Sequence, residues 1–278
     1  MTFFQSVILG IVQGLTEFIP VSSSGHLIIF PELVGWEQGG LAFDTTLHLG
    51  TLVALLVYFY KDLRSMLFSI IKDIRKMAFR FTFYSPESKL VVWLLIATIP
   101  AGIAAFLFGD FLESTFRSML SVSVFLLLGS VLMFFADRFG KNEDRSQPVP
   151  HVSFKKVFTA GLFQCLALFS GVSRSGATIS GGLLSGLNRT QAAKISFLLS
   201  IPIIAAAGIF QLPDALDEYS GVGAGAGLGI LISGFLSSAL SGYLAVSFLM
   251  KYLNSHGLKL FIIYRVLLSI FLMFLYLS

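Results

Sequence analysis

Five apolar runs stand out along the chain, at 41–60, 90–108, 119–136, 195–211 and 260–278, and a sixth, Gly-rich run covers about 222–250. A hydrocarbon core about 30 Å thick is crossed by about 20 residues of α-helix, so each run is predicted to be a transmembrane helix. Two more apolar regions, 3–34 and 157–187, are interrupted midway by Ser- and Gly-rich polar stretches. The hydrophilic segments 61–89, 137–156, 188–194 and 251–259 hold 7, 5, 2 and 2 Lys or Arg residues, whereas 35–40, 109–118 and 212–220 hold Arg117 alone. The positive-inside bias assigns the first set to the cytoplasm and the second to the outside. Segment 41–60 then runs inward and 195–211 outward, so each interrupted region must enter and leave on one side. Each is predicted to be a re-entrant pair of half-helices, the first entering from outside and the second from the cytoplasm, with both termini external. Irregular backbone at membrane depth needs cover from protein or a wet cavity, so the two tips are expected to meet inside the molecule.

The interrupted regions also resemble each other. At an offset of 151 residues, Gly10, Gln13, Leu15, Phe18, Val21, Ser22, Ser24, Gly25 and Ile28 match Gly161, Gln164, Leu166, Phe169, Val172, Ser173, Ser175, Gly176 and Ile179, nine identities in nineteen ungapped positions. Each copy precedes three predicted crossings, and an odd number of crossings inverts the second copy. The fold class expected is an all-α polytopic membrane protein with an inverted-topology repeat, six transmembrane helices and two re-entrant helix pairs. It forms one integral membrane domain over 1–278, with repeat 1 at about 1–136, repeat 2 at about 152–278 and a cytoplasmic linker at 137–156. In such repeats the functional site lies at the repeat interface.

Composition narrows the picture further. Apolar residues make up 55% of the 278 and charged residues 12%, with a mean hydropathy of +0.85, which excludes a disordered chain, a coiled coil and an ordinary soluble enzyme. The single cysteine, Cys165, excludes an internal disulfide framework and a Cys-ligated metal. The N-terminus has no basic stretch before its apolar run, so that run is expected to stay in the mature protein. Net charge is +4, but 16 of the 19 basic residues fall in the cytoplasmic segments; the excess reports topology, and no nucleic-acid partner is expected. The chain carries no Walker A, dinucleotide or HExxH motif.

The first tip reads Gln13-Gly-Leu-Thr-Glu17-Phe-Ile-Pro20-Val-Ser22-Ser23-Ser24-Gly25-His26, and the second Ser170-Gly171-Val172-Ser173-Arg174-Ser175-Gly176-Ala177-Thr178. Pro20 is predicted to end one half-helix, and the Ser and Gly residues after it to begin the next. Helix starts present free N–H groups that suit an anion, and the Arg174 guanidinium matches phosphate oxygens as a planar fork. Ionisable groups at membrane depth are costly, so Glu17, His26 and Arg174 are functional candidates by default. Bland readings stand beside these: Ser24 and Ser175 as close-packing residues, Glu17 as a structural partner of Arg174, and His26 as a satisfied internal histidine. Asp44 and His48, four apart on the next span, line either the same cavity or its external mouth. Arg265 is read as snorkelling or pairing near the cytoplasmic end of its helix, and Gly221, Gly225 and Gly229 as a helix-packing stripe.

A serine near a histidine, a phosphate-binding arginine and a carboxylate point to phosphoryl transfer, in which catalysis is mainly positioning and charge stabilisation. His26 follows Ser23 by three residues, within reach as its base or as an acid for the leaving group. Gln13 and Glu17 share a helix face and can hold a divalent ion through oxygen, with substrate phosphates completing the site. A substrate that reaches a site buried in a membrane is a lipid phosphate. A polyprenyl-phosphate transporter or flippase is the competing reading, favoured by the repeat architecture.

The motifs Q-G-L-T-E-F-I-P-V-S-S-S-G-H at 13–26 and G-V-S-R-S-G-A-T at 171–178 resemble those of the undecaprenyl-diphosphate phosphatase family of bacteria, the bacitracin-resistance proteins, over essentially the whole chain. The resemblance implies hydrolysis of undecaprenyl diphosphate to undecaprenyl phosphate and inorganic phosphate, which regenerates the lipid carrier for peptidoglycan. It implies a site open to the external side of the bacterial inner membrane and dependence on Mg²⁺ or Ca²⁺. Carried over by position, it makes Glu17, Ser23, His26 and Arg174 catalytic, and assigns substrate binding to Ser22, Ser173, Arg174 and Thr178, with Ser175 beside them. Gln13 and Glu17 fall on the acidic, metal-binding motif. Many members have Glu where this chain has Gln13, and Pro-Gly where it has Ser170-Gly171. Membrane lipids are expected partners, and the Gly-rich faces permit a homodimer.

Overall fold

A computed structural model describes residues 1–37, 39–78, 80–140, 148–220 and 224–277, with the side chains of 41–42, 110, 113, 212–220 and 224–226 excepted. The described residues form α-helices and short 3-10 turns: α1 Phe3–Phe18, α2 Ser23–Val34, α3 Gly40–Tyr58, α4 Tyr60–Met77, α5 Pro86–Phe116, α6 Met119–Phe139, α7 Phe154–Phe163, α8 Arg174–Leu184, α9 Arg189–Ser220, α10 Ala224–Tyr252 and α11 Lys259–Leu277. The long apolar stretches of α5, α6, α9, α10 and α11 can each cross a membrane, and α3, 19 residues ending at a sharp bend, adds a sixth apolar helix. Their outer faces are large apolar side chains: Phe106 is 83% exposed and Phe210 81%. Such a surface fits lipid as its solvent, and the chain is a multi-pass membrane protein.

Both interrupted regions fold as helix, break, helix. At 1.5 Å per residue α1 is about 24 Å long, α2 about 18 Å and α8 about 16 Å, each short of a 30 Å hydrocarbon core. Those lengths suit re-entrant half-helices. Helix α1 lies along α10, and α7 lies along α5. The matched glycines permit both contacts: a Cβ on Gly10 would strike the Gly234 carbonyl, and one on Gly161 the Ala97 carbonyl.

The loop ends group as the charge pattern predicts. Arg189 Nε donates to Asp137 Oδ1 at 2.6 Å, the Leu258 amide donates to Asp137 Oδ2 at 3.1 Å, and Lys194 Nζ reaches Asp62 Oδ1 at 2.7 Å. These bonds gather segments 61–89, 137–156, 188–194 and 251–259 at one end. Arg117 pairs with Asp44 at 3.3 Å, and the Thr45 hydroxyl donates to Gln211, joining the opposite ends. The hydrophilic reading of 61–89 missed a helix. The chain bends by 77° after α3 and continues as α4, where Lys61, Arg64, Lys72 and Lys76 accompany exposed Leu67, Phe68 and Ile74. A basic amphipathic helix turned off the span axis suits the membrane interface.

Arg265 corrects its sequence reading. It is fully buried, not snorkelling. It donates to the carbonyls of Pro20 at 3.4 Å, Leu126 at 3.0 Å and Gly171 at 2.9 Å, and to Ser130 Oγ at 3.1 Å. Pro20 and Gly171 lie in the two breaks, each two residues before an N-cap serine, so one guanidinium clamps both breaks to α6 and α11. Gly171 has φ +109°, and a Cβ there would meet the Val122 carbonyl. Glycine alone suits this turn, and the missing Pro before it does not open the break. Of the glycine stripe, Gly221 and the surroundings of Gly225 lie outside the described residues, and among the described residues nothing lies within 4 Å of where a Cβ on Gly229 would sit.

Two predictions follow from these contacts. Arg265→Met leaves three buried carbonyls without this donor; bonds to charged groups contribute about 1.5–3 kcal/mol each. Removing a buried charge offsets part of that sum, so a net loss of about 3 kcal/mol is expected, read as an apparent Tm in detergent lower by roughly 5–10 °C. An unchanged Tm would show that the clamp does not hold the tips. Asp73 Oδ2 accepts from the Ser85 amide and hydroxyl and from the Ser88 hydroxyl, which hold its carboxyl down to about 2 from 3.8. A lowered carboxyl stabilises fully above pH 3.8, and the contribution disappears as pH falls toward about 2. Pepsin cleavage of segment 80–89 should therefore rise between pH 4 and 2 in the native chain and already be high at pH 4 in Asp73→Ala.

Candidate active site

The two breaks produce the same local backbone twice. Ser22 precedes α2 with φ 77°, and Ser173 precedes α8 with φ 76°. Positive φ is strained for a non-glycine residue and persists where its surroundings fix it. Here the N-cap bond does part of that work: Ser22 Oγ accepts from the Gly25 amide at 3.3 Å, and Ser173 Oγ from the Gly176 amide at 3.1 Å. The hydroxyls of Ser24 and Ser175 lie 3.4 and 3.2 Å from those of Ser22 and Ser173. Each tip is thus a capped helix start whose first residues carry the site's polar groups.

The tips meet at Glu17. Arg174 Nη2 donates to Glu17 Oε1 at 2.5 Å, across 157 positions of sequence. Glu17 Oε2 accepts from Ser23 Oγ at 2.5 Å and from Gln13 Nε2 at 2.9 Å. The His48 ring approaches the same oxygen, Nε2 to Oε2 3.6 Å. Its Nδ1–H donates to the Asp44 carbonyl at 2.7 Å, which turns Nε2 toward Glu17. The Glu17 and Arg174 side chains are 4% and 16% exposed, so neither charge has bulk water as an alternative partner.

These groups wall a cavity of about 380 Å³. Its polar side includes Glu17, Ser23, Asp44, His48, Arg117, Gln164, Ser173 and Arg174, and its apolar side includes Leu27, Ile28, Ala105, Leu168, Ile203 and Ala207. The lining suits a ligand with an anionic head and an apolar tail.

Of the residues singled out by sequence, Glu17, Ser23, Ser173 and Arg174 come together at this wall. Gln13 stands behind Glu17, fully buried. Ser22, Ser175 and Thr178 are buried behind the tips; Thr178 Oγ1 bonds the Arg174 carbonyl at 2.8 Å and Ser196 Oγ at 2.6 Å, which supports the start of α8 from behind. His26 does not line the cavity. Its Nδ1–H donates to the Ser22 carbonyl at 2.7 Å, Nε2 takes the Tyr264 hydroxyl at 2.7 Å, and the rings stack. The four-residue reach back to Ser22 and the pull of α11 turn the ring away from Ser23. Helical spacing gave its height on α2 but not the neighbour it faces. Tyr264, Arg265 and Gln164 escaped the sequence reading as site residues; the match of Gln164 to Gln13 was the one available signal.

Comparisons with known proteins identify the family. The family model for the bacitracin resistance protein BacA matches residues 6–271. An undecaprenyl-diphosphatase of Pelobacter propionicus is 41% identical over 268 residues, 96% of this chain and 94% of that protein. One from Methanosphaera stadtmanae is 40% identical over 278 residues, 97% and 96% of the two chains, and one from Idiomarina loihiensis 41% over 276, 99% and 100%. With matches of that extent and two polar tips joined through Glu17 and Arg174, the chain belongs to the bacitracin resistance protein BacA family.

Proposed function

We propose that the chain is an undecaprenyl-diphosphatase, a phosphoric-anhydride hydrolase that cleaves undecaprenyl diphosphate to undecaprenyl phosphate and inorganic phosphate. The observation that carries this reading is the convergence of a hydroxyl, a carboxylate and a guanidinium on one amphiphilic cavity: Ser23 and Arg174 both bond Glu17 at 2.5 Å. Relatives at about 40% identity bear the name of that activity. Recycling of the carrier for cell-wall synthesis and resistance to bacitracin accord with the family.

In the proposed mechanism the headgroup enters the polar side and the prenyl chain lies against Leu27, Ile28 and Ile203. Arg174 Nη1, buried and without a partner among the described residues, takes a phosphoryl oxygen. The free N–H groups at the starts of α2 and α8 add positive potential where charge develops. Ser23 Oγ already gives its hydrogen to Glu17, so Glu17 takes the proton as Ser23 attacks the terminal phosphorus. The bond to the bridging oxygen breaks, and undecaprenyl phosphate leaves with that electron pair. Water then opens the phosphoserine and releases inorganic phosphate. His26 acts from behind, fixing the Ser22 carbonyl and so the start of α2.

A divalent cation, Mg²⁺ or Ca²⁺, is part of the proposal. Gln13 Oε1 is a buried acceptor with no partner among the described residues, and His48 Nε2 faces Glu17, so the donors beside the carboxylate fit such an ion. The described residues hold no cluster of three His, Cys, Asp or Glu, so lipid phosphates would complete its shell. Bound, it would neutralise phosphoryl charge. The basic loop ends support a cytoplasmic side for 61–89 and 137–156, which leaves the cavity opening outward in the bacterial inner membrane and both termini external. The likeness of the two tips supports an inverted repeat.

Phosphate release from undecaprenyl diphosphate by detergent-purified protein tests the reading. Wild type should release phosphate only with a divalent cation, Arg174→Ala should lose at least about 100-fold, and Ser23→Ala should show no turnover. Full turnover by Ser23→Ala would move the nucleophile to water. No release by folded wild type in any metal would favour lipid transport.

A further inference from the structure

The repeat that builds the site is not symmetric in its chemistry. Gln13 and Gln164 occupy equivalent positions, 151 residues apart. Four residues on, the first copy has Glu17 and the second has Leu168. The Gln13 amide nitrogen donates to Glu17 Oε2 at 2.9 Å. Gln164 has no such partner. It is 3% exposed, and both its Nε2 and its Oε1 are buried without a hydrogen bond among the described residues.

Gln164 belongs to the same wall as Ser173 and Arg174. An amide left unpaired in a buried site costs folding free energy, and an apolar side chain of the same size would avoid that cost. The neighbouring wall shows that apolar residues are accommodated there, since Ala167 and Leu168 follow on the same 3-10 turn. Arg174 Nη1, also from the second copy, is likewise a buried donor at this wall without a partner among the described residues. In the first copy the matching amide nitrogen is engaged with Glu17, while in the second copy the Gln164 amide and one nitrogen of Arg174 are left for a ligand.

We propose that Gln164 is a further substrate-binding residue, whose amide holds the diphosphate beside Arg174. Nε2 donates to a non-bridging phosphoryl oxygen. Oε1 accepts from a water or hydroxyl held against the phosphate, since it cannot itself approach an anionic oxygen. The first tip then supplies the nucleophile and its base, and the second supplies the cradle. This assignment rests on the diphosphatase reading for the identity of its ligand.

The test is Gln164→Leu in the full-length protein, read by apparent Tm, by kcat and KM for undecaprenyl diphosphate, and by binding of a methylene-bridged diphosphonate analogue of the lipid. Expected are a Tm equal to or above wild type, kcat/KM lower by about tenfold or more, and analogue binding weaker by a similar factor, about the weight of one hydrogen bond to a charged group. Gln164→Glu, which presents an anion to the phosphate, should lose more than Gln164→Leu. A lower Tm with unchanged kcat/KM and analogue affinity would overturn the assignment, because the amide would then serve the fold alone. If wild type releases no phosphate but binds the analogue, and Gln164→Leu does not, the diphosphatase reading fails while the assignment stands. If the two bind it alike, the assignment fails.

Discussion

A carboxylate and a guanidinium that have left water must find each other, and in this molecule that requirement joins the halves of the chain. Glu17 sits in the last turn of α1 and Arg174 in the first turn of α8, with 2.5 Å between their bonded atoms. Neither charge is tolerable alone at membrane depth. Their pairing forces two helix breaks, separately encoded, into one place. It also sets what the place can do. Glu17 keeps an oxygen for Ser23 and Gln13, and Arg174 keeps a second nitrogen without a partner among the described residues, so the pair is neutral as a unit and, in the proposed mechanism, still offers a base and an anion donor.

The remaining structure secures that meeting. Arg265 holds a carbonyl in each break, the N-cap serines fix the backbone after them, and Thr178 bonds back to the Arg174 carbonyl. Helices α10 and α5 are approached closely by α1 and α7 at glycines, which sets the depth of each tip. Positive φ falls on Ser22 and Ser173, the residues that cap α2 and α8, and among the other described non-glycine residues on Ala78 alone.

Much of this was legible in the sequence. Span positions follow from apolar length, the grouping of loop ends from basic residues, and the meeting of the tips from the cost of polar backbone in lipid. What eluded the sequence shares one physical cause. Periodicity reports which residues share a face of a helix, but not which neighbour that face meets. Arg265, read as reaching for water, turns instead to four acceptors on α6 and the two breaks. His26 turns to Tyr264 on α11, and His48, whose place was left open, comes to Glu17. Helix α4 was hidden because its charges lower the hydropathy of a segment that is also amphipathic.

The shared site is tested most directly by a structure of the protein with a methylene-bridged diphosphonate analogue of the lipid. The expected result is a headgroup between the starts of α2 and α8, bonded to Arg174, with the prenyl chain along the apolar wall at Leu27, Ile28 and Ile203. A headgroup bound elsewhere, with the Glu17–Arg174 pair closed as in the free protein, would contradict a site made by the two tips.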